Sequence, residues 1–308
     1  MTASGIRNVL VLGAPADQGI PLVGALKAAG FAPTAGVRRA DAMAGTLFPD
    51  LPVVAADIVD VGSLEAAMAG QDALAMHLPF EFDRERAAGF GRNIAEAAKR
   101  AGLRKIVFNT SCFVADRDLG LSAHDGRRDI ERVIVDSGIP YVFIEPVVFM
   151  DNIVRPWSKP SIVARGIFAY PAADDLKISW ISLADVAAFM VAALGTDAAD
   201  GCHVAVGGPE ALTGHEVAEK LAVAAGKPVR FQSLTPDEFA ARMSELVTGS
   251  RDVAPHSIYD GMAQFYRWYN AQPISPLVVD PEAFTALLPV PLTPFSEWAA
   301  RQDWSKPV

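Results

Sequence analysis

The sequence is poor in cysteine: Cys112 and Cys202 are its only two. Two cysteines cannot build a disulfide framework, and these two lack the close spacing of structural zinc ligands. We therefore predict no metal site and a fold held together by its apolar core. Apolar residues make up 51% of the 308 residues, which is enough for one large α/β domain or for a domain with a smaller lobe.

The sequence also lacks an excess of positive charge, because 27 basic residues face 36 acidic ones and the formal net charge is −9. A nucleic-acid surface needs clustered lysine and arginine, so we predict no nucleic-acid partner. No apolar run approaches the roughly 20 residues that cross a bilayer. Met1–Arg7 does not have the layout of a secretion signal. We expect a cytoplasmic protein that makes no membrane contact.

Short apolar runs alternate with helical stretches in the first half of the chain. Such an alternation predicts parallel strands joined by right-handed crossovers, with helices covering the sheet. The helices are expected after Gly19 and over Val61–Ala69, Arg84–Ala101 and His124–Ser137. The predicted strands are Asn8–Leu12, Ala32–Arg38, Leu51–Ala55, Asp72–His77, Lys105–Ser111 and Pro140–Ile144.

The alternation stops after Pro146. Two further strands, Lys177–Ile181 and His203–Val206, are predicted around a helix at Leu183–Leu194, and from Pro209 onward the pattern is mostly helical. We predict a Rossmann-like, doubly wound parallel sheet of the α/β class with a smaller, mostly helical C-terminal lobe. The nucleotide-binding domain is expected over residues 1–152 and about 175–207, and the lobe over 153–174 and 208–308.

The first predicted strand ends in the turn Gly13-Ala14-Pro15-Ala16-Asp17-Gln18-Gly19, which a helix follows. A strand, a tight turn and a helix N-terminus direct backbone N–H groups and the positive helix end toward a phosphate. We expect Gly13 to form the turn and Gly19 to allow close packing. Ala16 adds a methyl group toward the pyrophosphate, and Pro15 removes a donor. Glycines at such corners are also common for steric reasons alone, but the position in a first βαβ unit favours a dinucleotide.

The second predicted strand ends at Val37-Arg38-Arg39, without an acidic residue. A guanidinium there can pair with a 2′-phosphate, whereas a carboxylate would accept hydrogen bonds from a ribose hydroxyl. Arg38 therefore favours NADP(H), and NAD(H) stays possible. The alternatives are that both arginines are merely solvated, or that Asp41 reaches the ribose and weakens the preference.

The glycine turn and several later segments together resemble the NmrA-like branch of the atypical short-chain dehydrogenase/reductases. The later segments are Val37-Arg38-Arg39, Ala56-Asp57-Ile58-Val59-Asp60, Asn109-Thr110-Ser111, Glu131, Ser137-Gly138-Ile139-Pro140-Tyr141, Pro146, Phe149-Met150-Asp151-Asn152, Ser182-Leu183-Ala184-Asp185-Val186 and Gly207-Gly208-Pro209-Glu210-Ala211-Leu212-Thr213. The resemblance implies a dinucleotide-binding fold with Asp57 near the adenine and Asn109 on the strand beside the nicotinamide. The family contains NADPH-dependent reductases of quinones, enol ethers and phenylpropanoid-like molecules. It also contains regulators that bind the dinucleotide without turnover.

We predict that fourteen residues contact the cofactor. His77, at the end of the fourth strand, is included although a structural role is at least as compatible with its position. The set is Gly13, Pro15, Ala16, Asp17, Gln18, Gly19, Arg38, Asp57, His77, Leu78, Asn109, Arg127, Pro146 and Phe149.

The Tyr-x-x-x-Lys pair of the short-chain dehydrogenases is absent from the helix that should contain it. Aligned on Glu131, the Lys position holds Arg127 and the Tyr position holds Ala123. Arg127 can hydrogen-bond ribose hydroxyls but cannot donate a proton near neutral pH. His124 is the candidate proton donor and Ser111 a candidate donor to a substrate carbonyl. Each can instead have a purely structural role.

Aromatic residues of the second half can line a planar, apolar substrate site, bury the lobe, or form an oligomer interface. They are Phe149, Trp157, Phe168, Tyr170, Trp180, Phe265, Tyr266, Trp268 and Tyr269, together with Met150. We expect an NADPH-dependent reductase of a small apolar or aromatic carbonyl, quinone or enone. The alternative is a non-catalytic NADP(H) redox sensor, which the missing Tyr-Lys pair favours. A homo-oligomer or a regulatory protein partner is compatible with either.

Overall fold

The structure is a computed structural model that describes residues 4–39 and 46–307. Asp41, considered above as a ribose contact, lies outside the described residues. The described chain divides into two compact units. The first comprises Met1–Pro146, Leu183–Ala205 and Glu282–Pro291, and the second comprises Val147–Ser182, Val206–Pro281 and Leu292–Val308.

This division differs from the predicted one in four segments. Residues 147–152, 175–182 and 206–207 cluster with the second unit, and residues 282–291 cluster with the first. The last difference has a clear physical basis, because Phe284 packs edge-on against Phe189 at a centroid distance of 5.5 Å. Both rings are buried in the first unit. This aromatic contact helps to hold the short helix that contains Phe284 in the first unit, which no pattern near it predicts.

The first unit is built on a seven-stranded sheet, which confirms the predicted Rossmann-like α/β class. The order in the sheet is β3-β2-β1-β4-β5-β6-β8, and the pairings from β3 through β6 are parallel. The order reverses between β1 and β4, so the carboxyl ends of these two strands flank a switch point. The strands are β1 (Asn8–Leu12), β2 (Ala32–Val37), β3 (Val53–Ala55), β4 (Ala73–His77), β5 (Lys105–Asn109), β6 (Tyr141–Pro146) and β8 (Cys202–Val206), while β7 belongs to the second unit.

Helices flank this sheet. One packed pair is α1 with α6, and the other group is α2, α3 and α4, which pack in succession. A fully buried cluster that includes Leu10, Leu74, Ile94, Phe108 and Ile130 fills the space between the sheet and the second group. The bounds are α1 (Gly19–Ala28), α2 (Val61–Met68), α3 (Arg84–Ala101), α4 (Ser122–Ser137) and α6 (Leu183–Gly195), with α10 (Pro281–Leu287) closing the unit.

The second unit combines short helices with a two-stranded parallel sheet of β7 (Ile167–Tyr170) and β9 (Arg230–Ser233). Most of the aromatic residues singled out above form its core: Phe168, Tyr170 and Trp180 are at most 2% exposed. The hydroxyl groups of Tyr170 and Tyr266 share a buried hydrogen bond of 2.6 Å. Its helices are a 3-10 helix (Met150–Val154), α5 (Lys159–Arg165), α7 (Gly214–Ala225), α8 (Pro236–Thr248), α9 (Ile258–Asn270) and α11 (Phe295–Ala300). Among the described helices, none has both the length and the apolar composition needed to cross a bilayer.

Two predicted strands end or fail for identifiable reasons. β5 stops at Asn109 because Ser111 adopts a left-handed conformation with φ of 65°, which a strand cannot contain. Residues 177–181 make no strand. Ile178 forms an isolated antiparallel bridge with Leu212, and Ile181 forms a separate parallel bridge with Phe149. Two bridges to different partners cannot continue into one ladder.

The corner between β1 and α1 leaves no space for a side chain at Gly19. A Cβ atom there would lie 2.3 Å from the Gly13 carbonyl oxygen and 2.5 Å from that of Ala14. Both atoms belong to backbone, which cannot move without displacing the strand end. Gly24, in the same helix, is exposed and has no atom within 4 Å of the corresponding position.

We expect Gly19→Ala to lower the free energy of unfolding by about 1–3 kcal/mol, because it overpacks a backbone contact. The matched change Gly24→Ala should raise it by about 0.5–1 kcal/mol, since alanine is the better helix former at an open site. Urea denaturation of the two variants and the wild type measures both effects. Equal stability of Gly19→Ala and the wild type would contradict the close contact.

Candidate functional site

A cavity of about 490 Å³ opens at the carboxyl ends of β1, β2 and β4. Ligands of open α/β sheets bind at such a switch point, and the volume is typical of a small-molecule site. The cavity lies within the first unit and is lined largely by residues that directly follow the strands. Six of the predicted cofactor residues line it: Gly13, Pro15, Arg38, Asp57, His77 and Leu78.

Gly13 and His77 form a tight wall of this cavity. Gly13 has a φ of 81°, and a Cβ atom added to it would lie 2.6 Å from Cε1 of His77. Only glycine satisfies both the conformation and the space. His77 is 7% exposed, and burial, reinforced by the charge of Arg127, lowers its pKa to about 4. The imidazole is therefore neutral at neutral pH.

The start of α1 offers fewer backbone donors than the sequence pattern predicts. The N–H groups of Gly19 and Ile20 both donate to the Ala16 carbonyl, at 2.8 and 3.1 Å. Pro21 has no N–H group, and the Ala16 N–H donates to the Gly13 carbonyl at 3.0 Å. The N–H groups of Ala16, Gly19 and Ile20 are therefore hydrogen-bonded within the turn. Recognition of an anion at this corner therefore depends more on side chains at the rim than on the helix N-terminus.

A polar network joins the turn before α1 to the end of β5. Gln18 Oε1 accepts hydrogen bonds from Asn109 Nδ2 at 2.8 Å and from Ser111 Oγ at 3.0 Å. The Ser111 backbone N–H in turn donates to Asn109 Oδ1 at 2.9 Å. Asn109 is 1% exposed, and in this network both the nitrogen and the oxygen of its side-chain amide form a hydrogen bond. The structure thus brings together Gln18, Asn109 and Ser111, and holds Ser111 in its left-handed conformation.

Arg127 lies beneath the cavity rather than on its surface. Its side chain is 1% exposed, and Nη2 donates to the Leu78 carbonyl oxygen at 2.6 Å. The guanidinium carbon stands 4.9 Å from the centroid of the Phe80 ring, a cation–π contact. Leu78 and Phe80 both line the cavity, so Arg127 contributes to the site by positioning the loop after β4. A direct contact of Arg127 with a ribose stays a prediction.

His124, the candidate proton donor, is 2% exposed and does not line the cavity. Burial, with a smaller contribution from Arg127, lowers its pKa to about 3. The buried imidazole is therefore neutral at neutral pH, and the role of His124 as a proton donor stays a prediction. Ser111 is half-buried and its hydroxyl already donates to Gln18.

The remaining predicted residues occupy several positions. Ala16 and Asp17 are exposed on the turn, and the Asp17 carboxylate acts on the His77 imidazole electrostatically. Pro146 is buried at the end of β6 and does not line the cavity. Phe149, half-buried in the second unit, precedes the 3-10 helix and forms the bridge to Ile181.

Sequence reasoning missed several cavity residues that come after Leu78. Phe80 lines the cavity and covers the guanidinium of Arg127 at the same time. Arg86 and Glu81 also line it and form an ion pair at 3.2 Å. Their position in the sequence was the signal that could have identified them, because residues that follow a strand beside the switch point face the ligand crevice.

Comparisons with known proteins agree with this architecture. A sequence model of the NmrA-like family matches residues 6–298. The chain is 30% identical to the (4-alkanoyl-5-oxo-2,5-dihydrofuran-3-yl)methyl phosphate reductase of Streptomyces griseus, over 95% of this chain and 96% of that protein. It is also 30% identical to the NAD(P)H azoreductase of Xenophilus azovorans, over 84% and 86%.

Among solved structures, the fold is similar to the NADPH-dependent quinone oxidoreductase of Escherichia coli in complex with NADPH. The TM-score is 0.77 at 25% identity, and the match covers 95% of this chain and 98% of that one. The azoreductase and the quinone oxidoreductase are named for reactions with NAD(P)H and NADPH, respectively. The similarity extends over both units and is not confined to the glycine turn.

We expect the buried His124 to make the protein less stable as the pH falls through 6.5. The unfolded chain takes up a proton on this residue near its ordinary pKa of 6.5, whereas the folded chain does so only near pH 3. Between pH 4 and 6 the loss is about 1.4 kcal/mol per pH unit. His124→Gln should remove this contribution and flatten the stability curve, while His256→Gln, at an exposed position, should leave it unchanged. Parallel curves for His124→Gln and the wild type in denaturant titrations would refute the assignment.

Proposed function

The chain belongs to the NmrA-like family, and we propose that it binds NADP(H) in the cavity at the carboxyl ends of β1, β2 and β4 and uses it to reduce a small, conjugated apolar or aromatic acceptor. The observation that carries the proposal is the placement of Arg38 and Asp57 on the same cavity as Gly13. The nicotinamide-dependent relatives support the reaction class.

The residues of the cavity fit a dinucleotide. Gly13 has no side chain on the cavity wall, so the backbone of the turn itself lines the space that a pyrophosphate would occupy. Asp57 is held in place because its Oδ1 accepts a hydrogen bond from the Val59 N–H at 3.2 Å. Arg38 is exposed at the end of β2, where its planar fork can take a 2′-phosphate in two parallel hydrogen bonds. We therefore propose NADP(H) as the preferred form.

When bound, the nicotinamide supplies the hydride, and this chain supplies binding and orientation. The neutral His77 and the ring of Phe80 give the cavity an uncharged wall. Arg127 fixes the Leu78 carbonyl from below, so the loop after β4 presents a constant surface. These contacts position the reactants, and they leave the proton for the product to come from solvent.

The neutral imidazoles of His77 and His124 give a basis for choosing among acceptors. Reduction of a simple ketone creates a basic alkoxide, which depends strongly on a nearby proton donor. Reduction of a quinone or an enone creates a delocalised anion that survives until water protonates it. The buried, neutral state of His124 and His77 therefore favours conjugated acceptors.

We expect the protein to oxidise NADPH in the presence of quinones, azo compounds or conjugated enones, and to do so at least about 100-fold faster than with saturated ketones of similar size. The loss of NADPH absorbance measures the rates, with protein-free mixtures as the control. Clear NADPH binding without turnover on the whole panel would overturn the enzyme and support the redox-sensing alternative.

A second prediction concerns the cofactor preference. Arg38→Ala should raise the Kd for NADPH at least about tenfold, because a charge-assisted pair to the 2′-phosphate is lost. The Kd for NADH, which lacks that phosphate, should change less than about twofold. Titration calorimetry gives both values. Arg92→Ala, which removes an exposed arginine paired with Glu85 outside the cavity, is the control. Equal weakening of both cofactors by Arg38→Ala would contradict the role.

A further inference from the structure

A second cavity of the first unit, of about 610 Å³, contains a cluster of metal-ligating side chains that the proposed reaction does not use. Glu131 on α4, Glu145 on β6 and His203 on β8 all line it. One potential ligand atom from each residue lies within 4.8 Å of the other two. Three separate elements of the fold thus bring two carboxylates and an imidazole together.

The distances match the spacing of ligands around one ion. His203 Nδ1 stands 2.8 Å from Glu145 Oε1 and 3.7 Å from Glu131 Oε2. An ion with bonds of about 2.0–2.2 Å in tetrahedral or octahedral geometry separates neighbouring ligand atoms by about 3.0–3.5 Å. Movements of a few tenths of an ångström by the half-exposed His203 side chain would bring both distances into this range.

The orientation of His203 is already set by its neighbours. Its ring packs edge-on against Phe143 at a centroid distance of 4.8 Å and against Tyr141 at 6.3 Å. These contacts direct Nδ1 toward the two carboxylates. A ligand that is held in place before an ion arrives loses less freedom on binding.

The two carboxylates are costly to bury without a cation. Glu131 is 2% exposed, and its Oε1 is buried and accepts no hydrogen bond from any described residue. Glu145 is 6% exposed and lies beside it. Such a pair requires either a shared proton or a positive ion.

The positive charges around the cluster have partners of their own. The Arg128 guanidinium forms an ion pair with the Asp118 carboxylate, and Nη1 of Arg132 lies 3.5 Å from Oδ1 of Asp129. Arg127 is bonded to the Leu78 carbonyl. Each of these arginines is therefore engaged by another group, which leaves the two carboxylates and the imidazole available to an ion.

We propose that Glu131, Glu145 and His203 bind a divalent transition-metal ion at the edge of the 610 Å³ cavity. Imidazole nitrogen with carboxylate oxygen is a ligand set suited to Zn²⁺ and its first-row neighbours. Three protein ligands leave a further coordination position, which faces a cavity large enough for a small anionic or neutral ligand. This site is separate from the Gly13 turn and does not depend on the nicotinamide reaction.

The test uses the full-length protein after treatment with a chelator, with Zn²⁺ alone as the probe in titration calorimetry. We expect one ion per chain. Glu145→Gln and His203→Ala should each weaken binding at least about tenfold, since each removes a direct ligand. Two matched controls should leave the affinity unchanged: Asp136→Asn, which removes an exposed carboxylate from the same cavity, and His215→Ala, which removes an exposed histidine elsewhere.

Thermal unfolding provides a readout that does not depend on the calorimeter. Excess Zn²⁺ should raise the Tm of the wild type and of both controls, and should not raise that of Glu145→Gln. His203→Ala, at a half-exposed position, keeps the test valid if Glu145→Gln does not fold. Failure of the wild type to bind Zn²⁺ stoichiometrically would overturn the proposal in favour of a shared proton. Equal binding by all variants would overturn it in favour of adventitious surface binding.

Discussion

Helix α1 can begin at Gly19 only because glycine has no side chain. The carbonyl groups of Gly13 and Ala14 approach it so closely that no side chain fits between them. That approach brings α1 against the end of β1 and fixes the path of the whole turn. It places Gly13 beside the His77 ring and carries Gln18 to Asn109 and Ser111 at the end of β5. The shape of the crevice at the switch point follows from this single backbone contact.

The buried guanidinium of Arg127 is the second organising feature. A charge in the protein interior is stable only when it is hydrogen-bonded and partnered, and Arg127 meets the Leu78 carbonyl and the face of Phe80. Burial, with a smaller contribution from this charge, also keeps its neighbours His77 and His124 from becoming cations. Arg127 therefore shapes the loop after β4 and adds to the neutrality of the two imidazoles beside it.

Much of the first unit follows from the sequence, because a parallel sheet leaves strong local patterns. β1 and α3 agree at both ends with the prediction, and six predicted residues line the cavity. The failures have a common cause, which is that the deciding contact is distant in sequence. The pairing of β7 with β9 joins segments about sixty residues apart, and no local pattern reports it. Glu131, Glu145 and His203 likewise meet only once three elements have packed. The hydrogen bond that holds Arg127 to the Leu78 carbonyl also joins residues that are distant in sequence. The position of a residue in its own helix or strand does not by itself predict any of these contacts.

The hydrogen bonds of the turn before α1 also separate two properties that are often combined, namely the stability of the turn and the recognition of a ligand. Gly19 and Ile20 spend their N–H groups on the Ala16 carbonyl, and Pro15 and Pro21 have none to offer. The part of the turn that tolerates no side chain is therefore occupied with its own hydrogen bonds, whereas Arg38, to which we assign the choice of cofactor in our proposal, is exposed. Under that proposed role, a descendant of this protein could exchange one dinucleotide for the other by a surface substitution that leaves the buried turn unchanged.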